Sequence, residues 1–226
     1  MPQATVHLLR HGEVHNPDGV LYGRLPEFHL SGLGQEMARM LAEHFRQRAA
    51  SGARITYLAA SPLDRAQETA RPTSDALHLQ IHTDERIIEA ENYFEGMKVT
   101  KAELRRPRHW PRLVNPLRPS WGEPYKQQAA RVMAAAQEAR LRAIELAAGD
   151  FGTGGPEAIM VSHQLPIWAT RLSAEGKPLW HDPRKRECTL TSITSLVFDD
   201  DGTLVRVMYS EPAASLLPGA ASTPGA

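Results

Sequence analysis

The chain of 226 residues is long enough to bury one substantial hydrophobic core. Its 26 basic and 26 acidic residues give a formal net charge of zero, which argues against a protein drawn to nucleic acid or an anionic membrane by its overall field. No apolar run reaches the ~20 residues of a membrane span, and no basic-then-apolar secretory signal opens the sequence. Cys188 is the only cysteine, which excludes an internal disulfide and suits the cytoplasm, where we expect the protein.

The first half of the chain predicts strands and helices in alternation. The segment TVHLL is rich in β-branched and apolar residues, as in a strand, whereas the apolar residues between Leu33 and Phe45 recur at helical spacing. Ser61 and Pro62 follow a second apolar strand and predict a helix cap and a first-turn proline. The predicted strands span residues 4–10, 55–60 and 79–83, and the predicted helices span residues 31–50 and 61–77.

The second half begins with an Arg-, Pro- and Trp-rich insertion at about residues 97–124, which has too many prolines for a helix and is expected to form a loop or lid. An Ala-rich segment predicts a long helix over residues 125–148. A buried strand at residues 158–162, a helix from Pro166 and a β-hairpin through the sequence DDDG follow. The tail, residues 212–226, consists of small residues and proline and is expected to be disordered.

This alternation predicts an α/β fold, a three-layer α/β/α sandwich with a mainly parallel central sheet, in a single domain of residues 1–211. In such sheets, ligands bind at the carboxyl ends of the strands. Polar groups lie at three predicted strand ends: Arg10 with His11, Ser61 through Arg65, and His163. We expect these groups to meet at one edge of the sheet and to form a site there.

Three histidines at four-residue spacing, His7, His11 and His15, raise the alternative of a metal site. Residues four apart lie on adjacent turns, close together, only on a helix, and this segment reads as a strand that ends in turn residues. On a strand, such residues stand about 13 Å apart at ~3.3 Å per residue, which is too far for one metal ion. The sequence therefore favours a role for His11 without a metal.

The residues at the strand ends suit a phosphate ester. Arg10 and Arg65 can each offer a bidentate guanidinium fork to a phosphate dianion, and His163 adds a further donor. The same arginines oppose protonation of His11 and would keep its ring free to attack phosphorus. A carboxylic acid must then protonate the leaving oxygen, and the segment ERIIEAENYFEG offers four candidates: Glu85, Glu89, Glu91 and Glu95.

Four ordered motifs resemble the histidine phosphatase superfamily, in its phosphoglycerate mutase-like branch. They are LLRHGE at residues 8–13, GRLPEFHLSGLGQEMA at residues 23–38, SPLDRAQETA at residues 61–70 and VSHQLPI at residues 161–167. The resemblance implies that His11 is the phosphorylated nucleophile and that Arg10, Arg65 and His163 clamp the phosphate. It also implies Glu89 as the acid/base, with Glu91 as its rival.

We further expect a set of substrate-binding residues: Asn16, Tyr22, Gly23, Arg24 and Gln164. Two departures from the family pattern matter. Gln164 stands where the family has a glycine after the second histidine, so the loop there differs or its side chain enters the site. The insertion does not resemble that of the glycolytic mutases, which puts phosphoglycerate isomerisation in doubt.

The expected function is therefore a metal-independent phosphomonoester hydrolase that acts through a phosphohistidine and needs no cofactor. Two alternatives stay open: phosphoglycerate mutase-type transfer, and a non-catalytic protein that binds phosphorylated ligands. The expected partner is a small phosphorylated substrate, and a homodimer is an open option. Basic and aromatic residues of the insertion could stack on nucleic acid, but a neutral chain lacks the domain-wide basic face of such proteins, so neither nucleic acid nor membrane is expected.

Overall fold

The structure is a computed structural model that describes residues 3–113, 121–152 and 154–220. Six strands, β1 to β6, span Ala4–Arg10, Arg54–Ala60, Ile81–Thr83, Pro156–Ser162, Ile193–Phe198 and Leu204–Ser210. Five α-helices, α1 to α5, span Gly32–Ala50, Asp64–Leu77, Lys101–Leu104, Tyr125–Ala147 and Gln164–Ala174. Short 3-10 helices cover Glu85–Ile87, Pro107–Arg112, Pro183–Lys185 and Ala214–Gly219.

The strands form one six-stranded sheet in the order β3-β2-β4-β1-β5-β6. Strands β3, β2, β4 and β1 pair in parallel, and β5 runs antiparallel to both β1 and β6. The predicted mainly parallel sheet and the closing β-hairpin are therefore confirmed. The carboxyl ends of β1, β2 and β4 lie side by side, which fixes the edge where a ligand is expected.

Helices cover both faces of the sheet, and the alternation within β1 explains why. Val6 and Leu8 point into an apolar cluster with α4 and α5, whereas Leu9 points into a second cluster with α1 and α2. Successive strand residues face opposite sides, so a strand buried on both faces must be apolar almost throughout. This is the predicted three-layer α/β/α sandwich.

Two helix starts differ from their predictions. Helix α2 begins at Asp64 after Leu63, with no side-chain cap, because Ser61 Oγ lies 2.8 Å from His163 Nε2 and serves the site instead of the helix. Helix α5 begins at Gln164, two residues before the predicted Pro166. A proline in the first turn is tolerated because the amide there needs no partner within the helix.

The insertion contains more helix than expected. Helix α3 and the 3-10 helix at Pro107–Arg112 form despite the prolines, and the imidazole of His109 is buried against Tyr93 and Phe94. Residues 114–120 of the predicted loop lie outside the described part of the chain.

The expectation of disorder from residue 212 is wrong for the part of the tail that is described. Ala214–Gly219 forms a 3-10 helix next to α1, where Gly219 lies close to Leu33, and Ala213 is buried. Residues 221–226 lie outside the description. Across the described ranges, no helix is both long and apolar enough to cross a bilayer.

Candidate active site

The polar residues predicted at the strand ends converge at one edge of the sheet. Arg10 ends β1, His11 follows it, His163 follows β4, and Arg65 lies in the first turn of α2. All four side chains are buried: none has more than 5 % of its surface exposed. Four buried polar groups at one point, two of them permanently charged, indicate a site built for a ligand that shares their charge and hydrogen bonds.

His11 is held in the tautomer that a nucleophile needs. Its Nδ1 donates a hydrogen bond to the carbonyl oxygen of Gly12, at 2.8 Å, so the lone pair of the neutral ring lies on Nε2. Nε2 is buried and has no hydrogen-bond partner among the described residues. Burial and the charges of Arg65 and Arg10 hold the pKa of His11 well below its usual value of 6.5. The ring is therefore neutral at physiological pH.

Two glycines allow the backbone around His11 to pack closely. A Cβ on Gly12 would lie 2.6 Å from the carbonyl oxygen of Gly34, and a Cβ on Gly34 would lie 2.0 Å from the carbonyl oxygen of Glu13. Ser31, the N-cap of α1, also donates its backbone N–H to Glu13. The start of α1 thus holds the loop that carries His11 in place through close packing and a backbone hydrogen bond.

In His163, the ring nitrogen without a partner among the described residues is Nδ1, whereas in His11 it is Nε2. Ser61 Oγ accepts from the backbone N–H of Leu63 at 3.4 Å and can donate its own proton to Nε2 of His163 at 2.8 Å. With Ser61 as the donor in this pair, the proton of the neutral His163 ring lies on Nδ1, which is buried and unpartnered among the described residues. Burial and Arg65 hold the pKa of His163 well below 6.5. His163 is thus a neutral donor beside His11.

The two arginines are anchored by the backbone and keep donors free. Nη1 of Arg10 donates to the carbonyl of Cys188 at 2.7 Å, and Nη2 of Arg65 donates to the carbonyl of Gly23. Both anchors are neutral carbonyls, and the Nε of each arginine is buried without a partner among the described residues. Each guanidinium therefore has a positive charge and a donor available for an anion.

Tyr22 closes the site opposite Arg65, whose guanidinium carbon lies 4.7 Å from the ring centroid. Stacking on Phe28, at 5.1 Å between centroids, fixes the ring. The hydroxyl group is buried with no partner in the described part of the chain. Burial raises the pKa of Tyr22 to about 12, so the phenol stays protonated and can act as a donor.

The two rival acids differ sharply in environment. Glu89 is buried, and one of its carboxylate oxygens, Oε1, accepts from the backbone N–H of Ala90 at 2.8 Å. Burial raises the pKa of Glu89 against the opposing charges of Arg65, Arg186 and Arg10. The side chain of Glu91 is 70 % exposed and pairs with Arg24. Of these two residues, only Glu89 has the environment of a general acid.

Arg24 was predicted to bind the substrate, but its side chain is bound to other groups of the protein. Its Nε donates to the carbonyl of Glu89 at 2.7 Å, and its two terminal nitrogens pair with Glu91 and Glu123. Glu123 also binds Arg131, which itself reaches the carbonyl of Glu89. Arg24, Glu123 and Arg131 therefore hold the segment that carries Glu89. Sequence reasoning missed Arg131.

The other predicted substrate-binding residues fall into two groups. The amide of Asn16 closes its own loop through two hydrogen bonds to Val20, so its hydrogen-bonding groups are used within that loop. Gly23, whose φ of 41° suits glycine, and Gln164 both line a cavity beside Glu89. Gln164 thus enters the site region, as its place in the sequence suggested.

This cavity has a volume of about 180 Å³. Polar and aromatic side chains line it: Glu89, Asn92, Trp121, Tyr125, Gln164 and Arg186. Arg186 was not predicted, since it lies in a basic run that looks like surface. A larger groove of about 810 Å³ runs along α4 and β3; Glu85, one of the candidate acids, lines it, but Arg10, His11, Arg65, Glu89 and His163 do not. Among the described residues, no three His, Cys, Asp or Glu side chains are grouped to hold a metal ion.

Comparison with known proteins identifies the family. A model of the histidine phosphatase superfamily (branch 1) matches residues 6–211, nearly the whole chain. The chain belongs to this superfamily. The match includes all of the buried groups described above, and the predicted resemblance is confirmed.

A relative and two solved structures illustrate the likeness to this superfamily. The chain is 49 % identical over 217 residues to the uncharacterized protein Rv0525 of Mycobacterium tuberculosis, and the match covers 95 % of this chain and 100 % of that protein. The structure of mycobacterial hydrolase 2 matches with a TM-score of 0.73 at 22 % identity and covers 96 % of both chains. Mycobacterial glucosyl-3-phosphoglycerate phosphatase Rv2419c matches with a TM-score of 0.71 at 22 % identity over 92 % of this chain and 97 % of that one. These two likenesses confirm the fold.

Proposed function

We propose that the protein is a metal-independent phosphomonoester hydrolase that acts on a small phosphorylated metabolite through a phosphohistidine at His11. Membership of the histidine phosphatase superfamily supports phosphatase or phosphoryl-transfer chemistry. The observation that carries the proposal is the free, buried and unprotonated Nε2 of His11 beside two arginines that keep donors for an anion.

In the first step, the lone pair on Nε2 of His11 attacks phosphorus and a P–N bond forms. The bond between phosphorus and the ester oxygen breaks, and Glu89 gives its proton to that oxygen, so the leaving group departs as an alcohol. In the second step, the Glu89 carboxylate takes a proton from water, and the water oxygen attacks phosphorus. The P–N bond breaks, inorganic phosphate leaves, and His11 and Glu89 regain their starting states.

The remaining buried groups stabilise the transferring phosphoryl group. Charge in such a transition state is spread over the three equatorial oxygens, and fixed donors stabilise it without reorganisation. Arg10 and Arg65 supply positive charge, and Nδ1 of His163 and the hydroxyl of Tyr22 supply neutral donors. Because neutral His163 and Tyr22 add no charge beside His11, they do not oppose the positive charge that its ring acquires in the phosphoenzyme.

A structure with this fold is named as a phosphatase, glucosyl-3-phosphoglycerate phosphatase, and this name supports hydrolysis over the mutase reaction. The test is release of inorganic phosphate from p-nitrophenyl phosphate and 3-phosphoglycerate with EDTA present. Release from either ester is expected, and no release from any ester would contradict the proposal. Interconversion of 2- and 3-phosphoglycerate would identify a mutase instead.

A further inference from the structure

Arg186, in the wall of the cavity beside Glu89, forms no direct ion pair among the described residues, although Glu89 interacts with its charge. Its Nε donates to Nε2 of His181 at 2.8 Å, and its Nη1 donates to Oε1 of Gln164 at 3.2 Å. Both acceptors are neutral, and within the described ranges no carboxylate forms an ion pair with Arg186. Nδ1 of His181 donates to the carbonyl of Leu179 at 2.7 Å, which leaves the lone pair of the neutral ring on Nε2, where Arg186 binds.

The free-energy cost of sheltering Arg186 without an ion pair indicates that this position binds an anionic ligand. Arg186 is sheltered from solvent enough that burial lowers its pKa. A sheltered charge that lacks a partner is unfavourable, whereas a pair with an anion recovers the lost solvation. Gln164 fixes the guanidinium plane and is itself held by its Nε2, which donates to the carbonyl of Cys188 at 3.2 Å. Arg10 donates to the same carbonyl, so one backbone group links the phosphate clamp and the cavity.

The position of the cavity indicates which part of a substrate would contact Arg186. Glu89 lines the cavity, and it also lies close enough to the proposed phosphate-binding residues Arg65 and Arg10 for their charges to lower its pKa. In the proposed reaction, Glu89 protonates the ester oxygen, so the group attached to that oxygen must lie on the cavity side. A volume of about 180 Å³ is below the ~300 Å³ at which drug-sized ligands begin to fit, so the part of that group that lies in the cavity must be small.

We propose that the leaving group of the substrate carries its own anionic group, a carboxylate or a second phosphate, and that Arg186 binds it with Gln164 as the positioning residue. This inference rests on the proposed function. Trp121 and Tyr125 form the less polar wall of the cavity and would contact the carbon skeleton that joins the two anions. The substrate class is therefore a small phosphomonoester with two separated anionic groups.

The same pairing would act on the catalytic acid. The charge of Arg186 lowers the pKa of Glu89, and an anion bound to Arg186 would offset that charge. Glu89 would then hold its proton more firmly in the complex with a doubly anionic ester than with a singly anionic one. The substrate anion would thus help to keep the acid in the form that the first step needs.

The test compares two matched pairs of esters. 3-Phosphoglycerate and glycerol 3-phosphate differ by a carboxylate, and 1,3-propanediol bisphosphate and 3-hydroxypropyl phosphate differ by a second phosphate. We expect kcat/KM of the wild type to favour the doubly anionic member of at least one pair by about 10- to 100-fold, the range of a hydrogen-bonded charge pair. The pair with the larger preference identifies the anion as carboxylate or phosphate.

Replacement of Arg186 should remove that preference. In Arg186→Gln, kcat/KM for the favoured ester should fall at least tenfold more than kcat/KM for its singly anionic partner, and Arg186→Lys should recover part of the difference. Arg142→Gln, a change at a surface arginine far from the cavity, should leave both values unchanged. A wild type without preference, or an Arg186→Gln variant in which both esters slow equally, would overturn the inference.

A binding measurement separates this inference from the proposed function. If the wild type releases phosphate from no ester, the proposed hydrolase is wrong, but calorimetry of the same ester pairs still tests Arg186. Tighter binding of the doubly anionic ester by the wild type, lost in Arg186→Gln, would support the inference. Equal binding of both esters would overturn it.

Discussion

The imidazole rings of His11 and His163 lie 5.2 Å apart, centroid to centroid, and both are completely buried. Each ring has one nitrogen held by the protein, Nδ1 in His11 and Nε2 in His163. The free nitrogen of the neutral His11 ring carries a lone pair, and with Ser61 as the donor to His163 the free nitrogen of that ring carries a proton. A phosphate in contact with both rings would meet a lone pair on His11 and a donor on His163.

Replacement of His11 by alanine should reduce phosphate release by more than about 10⁴-fold, because loss of a nucleophile removes the covalent route altogether. A quenched reaction of the wild type should trap phosphate on the protein in an acid-labile, alkali-stable bond, and His11→Ala should trap none. His15→Ala, a change at an exposed histidine of the same loop, is the control and should behave as the wild type. Turnover retained in His11→Ala would refute the assignment of the nucleophile.

Replacement of Glu89 by glutamine should slow esters in proportion to their need for an acid. Loss of a general acid costs typically 10²- to 10⁴-fold, so alkyl phosphates should slow by about that range. The first step with p-nitrophenyl phosphate should slow far less, since nitrophenolate leaves without a proton; a burst of nitrophenol measures that step. Glu91→Gln is the matched control, and if it slows alkyl phosphates in this way instead, Glu91 is the acid.

The pH dependence of kcat should have opposite signs for the two kinds of ester. The pKa of Glu89 is raised, and the acid form is needed for alkyl phosphates, so their kcat should fall as pH rises through that pKa. For p-nitrophenyl phosphate, the second step limits the rate and needs the carboxylate, so its kcat should rise over the same range. His11 stays neutral throughout, since its pKa is held well below 6.5. The Glu89→Gln variant should lose both trends, and identical profiles for the two esters would contradict the two roles of Glu89.

Glu157 should contribute to stability at the end of β4 away from the site. Its buried carboxylate accepts from His7 at 3.0 Å and from Arg48 at 2.7 and 2.6 Å, and these partners lower its pKa to about 2 against the effect of burial. A carboxylate whose pKa is depressed on folding stabilises the protein above its ordinary pKa of 4.5, and this contribution is lost as pH falls from 4.5 towards 2.

Glu157→Gln should therefore lower the free energy of unfolding by about 1–3 kcal/mol at pH 7. The difference from the wild type, measured by urea denaturation, should shrink between pH 4.5 and pH 3. Glu43→Gln breaks an exposed pair with Arg46 and should leave stability almost unchanged, because water screens such a pair. A difference for Glu157→Gln that stays constant with pH would contradict the assigned charge state.

The sequence alone predicted the layers of the fold and the residues at the strand ends. Strand and helix periodicities come from local burial, and β1 reproduces its predicted bounds, Ala4–Arg10. Because parallel strands end at a common edge, Arg10, His11 and His163 had to meet once the strand order was fixed. The resemblance of the motifs to the superfamily added Arg65, whose place in a helix is otherwise that of an ordinary surface arginine.

The partners of these residues depended on the tertiary structure. Ser61 looked like a helix cap but binds His163, Arg24 looked like a substrate ligand but holds the Glu89 segment, and Arg186 looked like surface. The difference in environment between Glu89 and Glu91 likewise follows from burial, since two glutamates two residues apart have the same chemistry until the fold shelters one of them. Local sequence fixes which groups a segment carries, whereas contacts between distant segments set their solvation, charge and free donors.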